Sequence, residues 1–429
     1  MDIPANTVRP VWVSIDVPQE ARPGTYSGTI TANAEGNVKL TFNVKIKVSS
    51  SILPKPSEWS YHLDLWQNPY SLARYHNVKP WSQEHYDLLK PVMKMLADAG
   101  QKCITTTIIH DPWSSQTYDP YESMVKWIKG IDGKWSFDYS VFDKYVKFCM
   151  SLGIKEQISC YSLISWGEDF RYFDEESGNY AFAKAKLGTK AYEDLWSPFL
   201  KDFSLHLKKL QWINKTVIAA DERPLAQMQI AINLLKKVAP DLKIALAGNA
   251  HKELKDNIFD YCTYIDSIFG KDLMKERAKK NMPSTFYVCC GPAHPNTFTN
   301  SPTAEATWLG WYAANKGFTG FLRWSYNNWT ADPLIDTRFG PWPAGDCFIV
   351  YPEGRSSIRF ERLREGIQDY EKIRIVRALL KKENNKKADD KWTKLEQALS
   401  SFEKENLTEE NAGEMVRKGK LVLQEISAD

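Results

Sequence analysis

The chain has 429 residues, and its 56 Lys and Arg against 53 Asp and Glu give a formal net charge of +3. So small a charge excludes the strong positive field that attracts nucleic acid or an anionic membrane. The length accommodates a barrel of about 250 residues with one or two smaller units beside it.

The first predicted unit is a small antiparallel β-sandwich over residues 1–53. Apolar residues alternate in steps of two through Val11–Val17 and Leu40–Ile46, and turn residues at Pro23–Gly28 lie between the two runs. This pattern begins almost directly after Met1, without the charged and apolar segments of a signal peptide. We therefore expect that an upstream leader and part of this domain are missing.

Residues 57–345 are predicted to form a (β/α)8 barrel, because short β-rich runs alternate there with amphipathic helical stretches. The predicted strands are Trp59–Trp66, Cys103–Ile109, Lys155–Ser162, Thr216–Glu222, Lys243–Gly248, Tyr264–Phe269, Thr285–Gly291 and Phe318–Trp324. The predicted helices are Gln83–Ala99, Ser140–Leu152, Tyr192–Leu210, Leu225–Val238, Lys271–Lys280 and Thr303–Ala314. No Gly-rich phosphate turn follows an early strand, which favours a closed barrel over an open doubly wound sheet.

Residues 346–429 are predicted to be a helical extension. Its helices are expected at Ser357–Lys382, 387–404 and 409–426, and they are rich in Lys and Glu. Charge of this kind is typical of a solvated helix face, so we expect these helices to brace the barrel rather than bind a ligand.

Seven cysteines are scattered along the chain, and six of them fall within apparent strands or helices. No C-x-x-C pair or zinc spacing is present, so they are interpreted as small buried hydrophobic residues. The sequence thus predicts neither a disulfide framework nor a metal site, and no cofactor. No run of about 18 apolar residues exists, so membrane insertion is not expected, and the oligomeric state stays open.

Candidate site residues are those in the C-terminal parts of the predicted barrel strands or soon after them, because (β/α)8 enzymes place their active sites at that end. The predicted substrate-binding residues are Tyr287, Trp324, His110, Asp64, Trp66, Asn249, Tyr326, Asn327 and Trp166. With 16 Trp and 20 Tyr, the chain is rich in rings that suit stacking on sugars, although core packing explains any one of them equally well. His110 is equally compatible with a structural role.

The fourth predicted strand ends in two adjacent carboxylates, Asp221 and Glu222, after the apolar run Val217–Ala220. Burying charge without a function is costly, and neighbouring carboxylates raise one pKa, which leaves a protonated acid beside an ionised partner. General acid catalysis requires such a pair. The alternative interpretation is that both residues cap the following helix. Since adjacent residues on a regular strand point to opposite faces, catalysis requires the strand to end or bulge at Asp221.

A conventional retaining glycosidase needs a second carboxylate about 5 Å from its acid, often from a late strand. The seventh predicted strand carries no acid, so the sequence favours substrate assistance, in which the 2-acetamido group of an N-acetylhexosamine attacks its own anomeric carbon. In this hypothesis Asp221 orients the amide nitrogen and Glu222 protonates the leaving oxygen. Tyr287 would hydrogen-bond the acetamido oxygen, and Trp324 would form a wall of the acetyl pocket.

A conventional two-carboxylate glycosidase remains a minor alternative. Its second carboxylate would come from Asp64, Asp111 or Glu168, which also follow predicted strands. The sequence contains no H-E-x-x-H, G-x-S-x-G or Walker motif, so metalloprotease, esterase and NTPase functions lack support.

Three segments resemble glycoside hydrolase family 123: Ala219-Ala220-Asp221-Glu222, Arg323-Trp324-Ser325-Tyr326-Asn327 and the block from Asp346 to Tyr370. The resemblance covers about residues 10 to 380, and the helix ending Gly366-Ile367-Gln368-Asp369-Tyr370-Glu371 is its most specific part. Where a Tyr-Pro-Gly turn is expected, this chain has Tyr351-Pro352-Glu353-Gly354, and the inserted Glu353 could reshape a substrate loop.

The resemblance implies a sandwich domain before the barrel and a retaining exo-β-N-acetylgalactosaminidase that forms an oxazolinium intermediate. It implies a glycan or glycolipid with terminal β-linked N-acetylgalactosamine as partner, Asp221 as the acetamide-orienting residue and Glu222 as acid/base. It also implies that the full-length protein is periplasmic or secreted. Two alternatives remain open: a β-N-acetylglucosaminidase with the same dyad, and a non-catalytic glycan-binding protein that keeps the aromatic cleft.

Overall fold

The computed structural model describes residues 6–8, 11–383, 385–408 and 411–427. The strands are β1 (Gly24–Ala34), β2 (Val38–Val48), β3 (His62–Leu65), β4 (Cys103–Thr107), β5 (Lys126–Lys129), β6 (Trp135–Asp138), β7 (Gln157–Tyr161), β8 (Asp169–Asp174), β9 (Asn179–Lys184), β10 (Thr216–Asp221), β11 (Lys243–Gly248), β12 (Asp260–Tyr264), β13 (Ser284–Tyr287) and β14 (Gly320–Arg323). The α-helices are α1 (Pro69–Tyr75), α2 (Gln83–Ala97), α3 (Ser140–Ser151), α4 (Lys190–Lys209), α5 (Leu225–Val238), α6 (Lys271–Lys279), α7 (Ala304–Lys316), α8 (Ile358–Glu383), α9 (Lys386–Ser400) and α10 (Ala412–Ser427).

Eight parallel strands form the central sheet in the order β3-β14-β13-β12-β11-β10-β7-β4, which confirms the predicted (β/α)8 architecture. The two end strands, β3 and β4, approach each other at a bridge between Leu63 and Gln101. The backbone N–H of Lys102 donates to the Leu63 carbonyl at 3.0 Å. The Gln101 side chain accepts from the Leu65 N–H at 3.0 Å and donates to the Cys103 carbonyl at 2.8 Å. The Gln101 side-chain amide therefore takes the place of some of the backbone hydrogen bonds that β3 and β4 do not make with each other. These contacts nearly close the barrel.

The barrel interior combines small and very large side chains. Ala219, Ala245 and Ala247 on β10 and β11 pack in one buried cluster with the rings of Trp66 and Tyr161. Small residues on two neighbouring strands leave the volume that indole and phenol rings occupy, since protein interiors are filled to crystal-like density. Aromatic rings therefore fill the part of the barrel near the C-terminal ends of the strands.

The sixth barrel strand was predicted at Tyr264–Phe269, and this prediction is wrong: the strand is β12 at Asp260–Tyr264. Buried Ile265 and Phe269 follow it and supplied the misleading apolar run. The true strand begins with a carboxylate, whose burial is made possible by hydrogen bonds from Gln157 at 2.7 Å and His62 at 3.0 Å.

The N-terminal part of the described chain contains one antiparallel pair, β1 with β2, in register from Gly24 opposite Val48 to Ala34 opposite Val38. The predicted run Leu40–Ile46 lies within β2, but Val11–Val17 forms no strand, and Pro23–Gly28 begins β1 instead of separating two strands. No second sandwich layer is present among the described residues, and the predicted missing segment before Met1 lies outside them.

A second sheet, not predicted, is formed by the segments that follow β4 and β7. It has four strands in the order β6-β5-β8-β9. Trp127 of β5 anchors it, since this residue is buried and stacks on Phe199 of α4 with ring centroids 4.5 Å apart. Because both segments leave the C-terminal ends of barrel strands, this sheet borders the side on which the site lies.

The C-terminal helices pack on the barrel as predicted. Helix α8 crosses α7 so closely at Gly310 and Gly366 that a Cβ added to Gly310 would lie 2.1 Å from the Gly366 carbonyl oxygen. Buried Glu371 of the same helix accepts the backbone N–H groups of Ser60 and Tyr61 at 2.7 and 2.8 Å. No helix of the described segments is both long and apolar enough to cross a bilayer.

Candidate active site

Strand β10 ends at Asp221, and the backbone turns at the next residue. Glu222 has φ of +47°, in the left-handed region, while its N–H still donates to the Ala247 carbonyl at 2.7 Å. Such a conformation costs free energy for a residue with a side chain and is characteristic of functional sites. Because of this turn, both carboxylates line the same pocket instead of pointing to opposite faces.

Neither carboxylate caps the helix that follows. Helix α5 begins at Leu225 after Pro224, and no side chain makes a capping hydrogen bond there. The capping interpretation of the two acids therefore has no support in the geometry.

The pocket that contains both carboxylates has a volume of about 140 Å³ at the C-terminal end of the barrel. Its lining residues are Trp66, Trp113, Gln116, Trp166, Asp221, Glu222, Ala247, Tyr287, Cys289, Cys290, Leu322, Trp324, Trp342 and Asp346. A larger cavity of about 310 Å³ lies where β2 meets α8 and α10, and its lining is mainly Lys, Ser and aliphatic side chains. We place the site at the smaller cavity, since convergent acids and aromatic walls define ligand sites better than volume does.

The pKa of Asp221 is raised from its ordinary value of 3.8 to about 7. Burial is the largest cause and the negative charge of Glu222 the second, while Arg223, Trp166 and Trp113 oppose the rise. Arg223 is held near the dyad, because its Nε donates to the Asp221 carbonyl oxygen at 2.7 Å and its guanidinium lies 4.2 Å from the centroid of the Trp166 ring.

The second carboxylate is fixed by a phenol. Tyr287, the last residue of β13, donates its hydroxyl to Glu222 Oε1 at 2.8 Å. Burial, followed by the charge of Glu222, raises the pKa of Tyr287 well above its usual range, so the phenol stays a neutral donor. Because the pKa of Asp221 is about 7, this carboxyl keeps its proton up to about neutral pH, which suits a site for acid catalysis.

Aromatic rings form the walls of the pocket. The centroids of Trp66 and Trp113 are 5.2 Å apart, and those of Trp324 and Trp342 are 5.7 Å apart. The indole nitrogens of Trp113 and Trp324 are buried without a hydrogen bond of ordinary geometry inside the protein. The pocket therefore offers flat apolar faces beside buried N–H groups and carboxylates, a combination that suits a sugar ring.

Four of the nine predicted substrate-binding residues line this pocket, namely Tyr287, Trp324, Trp66 and Trp166. The others lie elsewhere. Asp64 is buried within the barrel, where burial and then Asp260 raise its pKa to about 7. His110 Nδ1 lies 3.1 Å from a carboxylate oxygen of Glu122.

The remaining three also lie outside the pocket lining. The backbone carbonyl of exposed Asn249 accepts the Tyr261 hydroxyl at 2.8 Å. Tyr326 is fully buried and donates to the Val92 carbonyl at 2.9 Å. Buried Asn327 exchanges two hydrogen bonds with the backbone of Asn68, at 2.9 and 2.8 Å. The last two thus fasten the segment after β14 to the segment after β3.

The sequence interpretation missed several pocket residues, among them Trp113, Gln116, Trp342 and Asp346. They come from the long segments after β4 and β14, several residues beyond the strand ends. Asp346 was visible only as the first residue of the family-like block. It is fully buried and pairs with Arg323 of β14 at 3.0 Å, which ties the second segment to the barrel.

The inserted Glu353 does not line the pocket. It forms an ion pair with Arg355 at 2.6 Å, and a Cβ added to the neighbouring Gly354 would lie 3.2 Å from Cβ of Pro91 in α2. Glu353 therefore lies in a turn that packs on α2.

Among the described residues, His62, Cys103 and Asp260 are grouped closely enough to be potential metal ligands. They occupy the N-terminal ends of β3, β4 and β12, opposite the pocket. His62 Nε2 lies 3.0 Å from Asp260 Oδ2 and 3.3 Å from Cys103 Sγ, so these groups serve as partners for one another.

Comparisons with known proteins indicate the family. Residues 66–376 match the family model for the glycoside hydrolase 123 catalytic domain, and residues 1–34 match that for the glycoside hydrolase 123 N-terminal domain. A solved family 123 glycoside hydrolase from Clostridium perfringens, described for its hydrolysis of glycolipid glycans, is 28% identical with a TM-score of 0.85, over 95% of this chain and 76% of that chain.

Two other solved structures are similar to this chain only at TM-scores below 0.5. A GH10 xylanase from Thermobacillus composti is 11% identical with a TM-score of 0.37, covering 72% of this chain and 97% of its own. A β-D-glucuronidase from Dictyoglomus thermophilum is 9% identical with a TM-score of 0.36, covering 80% and 57%. The comparison with curated proteins gives no match. On the extent of the catalytic-domain match, the chain belongs to glycoside hydrolase family 123.

Proposed function

We propose that this glycoside hydrolase is a retaining exo-β-N-acetylgalactosaminidase that works by substrate-assisted catalysis through an oxazolinium intermediate. The observation that carries the proposal is the dyad: Asp221 and Glu222 line one pocket, and Tyr287 is hydrogen-bonded to Glu222 at 2.8 Å. The other pocket acid, Asp346, is fully buried and paired with Arg323. The pocket thus offers one acid pair and no free third carboxylate among its lining residues.

Asp221 is the residue that orients the acetamido group. Its raised pKa means that the free dyad carries its proton mainly on this residue near neutral pH. When the acetamide N–H donates to Asp221, the hydrogen bond favours the ionised carboxylate and lowers its pKa. The proton that Asp221 gives up then passes to Glu222, which acts as the acid.

The reaction then proceeds in two steps. The acetamido oxygen attacks the anomeric carbon, the bond to the leaving oxygen breaks, and Glu222 gives its proton to that oxygen. The positive oxazolinium ring lies against ionised Asp221. Water, deprotonated by Glu222, opens the ring from the face that the leaving group vacated, so the β configuration is retained. Tyr287 supports this cycle by donating its hydroxyl to the acetamido oxygen once substrate displaces its bond to Glu222.

The positions of the alternative carboxylates disfavour the conventional two-carboxylate mechanism. Its candidate nucleophiles Asp64, Asp111 and Glu168 do not line the pocket. Asp64 is buried within the barrel, and Asp111 accepts hydrogen bonds from Ser115 at 2.9 and 3.0 Å.

The substrate proposed is a glycan or glycolipid with a terminal β-linked N-acetylgalactosamine. The similarity to the Clostridium perfringens enzyme, which hydrolyses glycolipid glycans, supports a glycan substrate. The family resemblance supports galactosamine over glucosamine, and it is also the basis for proposing a periplasmic or secreted full-length protein.

The substrate can be tested with three aryl β-glycosides: the N-acetylgalactosaminide, the N-acetylglucosaminide and the galactoside. We expect the first to have the highest kcat/KM and the last to be inert, since it lacks the attacking group. Preference for the glucosaminide would replace the proposed substrate and keep the mechanism. Preference for the galactoside would contradict both.

The catalytic role is tested with Glu222→Gln and a matched control, Glu168→Gln, an exposed carboxyl outside the pocket lining. We expect the first change to lower kcat by about 10²–10⁴-fold, as loss of an acid/base does, and the second to leave it unchanged. If wild type and Glu222→Gln bind the sugar alike and neither hydrolyses it, the chain is a glycan-binding protein instead.

A further inference from the structure

Two adjacent cysteines stand at the wall of the active-site pocket. Cys289 and Cys290 follow β13, and their Sγ atoms are 3.7 Å apart. Both line the pocket that contains Asp221 and Glu222. Cys290 is exposed and Cys289 partly so, whereas the other five cysteines are buried. The prediction that the cysteines serve as small buried hydrophobic residues therefore does not describe this pair.

The turn that carries the pair holds the two sulfurs together. The Cys289 N–H donates to the Gly291 carbonyl at 3.0 Å. Asn296 Nδ2 donates to the carbonyls of Cys289 and Pro292 at 2.9 and 2.7 Å. These bonds fix the backbone of the turn from which both sulfurs project.

We propose that Cys289 and Cys290 form a reversible dithiol–disulfide site whose oxidation lowers turnover in the adjacent pocket. Exposed Cys290 reacts first: its sulfur attacks a hydroperoxide oxygen, the O–O bond breaks, and a sulfenic acid and an alcohol or water form. The sulfur of Cys289 then displaces the sulfenic oxygen as water. Overall, two thiols lose two protons and two electrons to the hydroperoxide, which is reduced.

The disulfide formed here is expected to be easily reduced. The Cα atoms of adjacent residues are about 3.8 Å apart across a trans peptide, less than the 4.4–6.8 Å that relaxed disulfides span. Strained and exposed disulfides have the higher reduction potentials that characterise labile, regulatory bonds. The pair therefore responds to the oxidant level of its surroundings.

Oxidation acts on catalysis through Tyr287. Closing the bond brings the sulfurs from 3.7 Å to about 2.05 Å and changes the backbone torsions of the turn. Tyr287 precedes Cys289 by two residues and donates to Glu222. Since a displacement of about 1 Å in an active site can cost about a hundredfold in rate, we expect kcat to fall by roughly tenfold or more.

The test treats the reduced protein with a small excess of hydrogen peroxide and follows intact mass, peptide mapping and hydrolysis of the aryl N-acetylgalactosaminide. We expect a species two hydrogen atoms lighter, with the bond mapped to Cys289 and Cys290, a fall in kcat, and recovery of both with dithiothreitol. Cys290→Ser and Cys289→Ser are each expected to lack that species and the recoverable fall in kcat. Because Cys290 is exposed, its serine variant should fold, and thermal unfolding checks this.

A single arsenical tests the pairing directly. Phenylarsine oxide condenses with two thiols and releases one water, so we expect one bound arsenical in the wild type and none that survives washing in either serine variant. Absence of the lighter species, or equal reversible inhibition of Cys290→Ser, would overturn the proposal, as would a mapped disulfide with unchanged kcat. The measurement of kcat rests on the proposed hydrolase function, whereas the mass and arsenical measurements do not. A failure of the proposed function can therefore be distinguished from a failure of the dithiol proposal.

Discussion

Replacing Asp221 by Asn is expected to stabilise the fold above neutral pH while it impairs catalysis. A pKa held at about 7 instead of 3.8 corresponds to about 4 kcal/mol against the ionised carboxylate in the folded state. Asp221 is partly exposed to the pocket, and Asn must satisfy its own amide, so we expect a gain of about 2 kcal/mol.

The pH dependence has a definite sign. Below pH 4 the carboxyl is protonated in both states, and the substitution has little effect. Between the two pKa values the unfolded chain is ionised while the folded protein retains the proton, so wild-type stability falls as pH rises. Above pH 7 the full penalty is present in the wild type and absent from the variant.

Urea unfolding of wild type and Asp221→Asn at pH 5 and pH 8 measures this difference. We expect the advantage of the variant in unfolding free energy to be larger at pH 8, and Glu168→Gln to show no such change. A variant advantage that is equal at both pH values, or smaller at pH 8, would refute the assignment of the raised pKa to Asp221.

The other predictions concern the dyad, its phenol and two packing features. The kcat/KM profile is expected to fall as pH rises through about 7, because Asp221 then loses its proton; a flat profile from pH 6 to 9 would contradict this. Tyr287→Phe should lower kcat by about tenfold or more and leave the melting temperature within a few degrees, as steady-state kinetics and thermal unfolding will show. Arg323→Met should cost about 3–5 kcal/mol in urea unfolding, because it leaves buried Asp346 unpaired. Gly310→Ala should destabilise strongly or prevent folding, since its Cβ would overlap the Gly366 carbonyl; an unchanged urea midpoint would show that α7 and α8 can separate.

The barrel was predictable because apolar residues recur with different periods in its strands and in its helices. Strand β11 and helix α5 match their predicted limits, Lys243–Gly248 and Leu225–Val238. Strand β12 escaped because its first residue, Asp260, is a buried acid whose partners His62 and Gln157 come from two distant strands. A search for apolar runs does not predict a strand that begins with a buried carboxylate, because the hydrogen bonds that permit its burial come from distant parts of the chain.

The position of the dyad was predictable for a different reason. An apolar strand that ends in two acids is unusual, and the left-handed turn at Glu222 is the geometry that a shared pocket requires. The residues that form the walls of the pocket were harder to predict from the sequence. Trp113 and Trp342 lie on long segments with no periodic pattern, so only their packing on Trp66 and Trp324 reveals them.

Polar residues after a strand were an imperfect guide. Tyr326 and Asn327 follow β14 as the rule requires, but both are buried and bonded to other parts of the chain. Sequence position identifies the end of the barrel at which a residue lies. It does not show whether the side chain faces the pocket or the protein.

The central claim is that the acetamido group of the substrate is the nucleophile. The most direct measurement is kcat/KM for aryl β-galactosaminides whose N-acetyl group carries zero, one, two or three fluorine atoms, since fluorine withdraws electron density from the attacking oxygen. We predict a steep, progressive fall along the series for the wild-type protein. Rates that are independent of the number of fluorine atoms would contradict the claim and require a protein nucleophile.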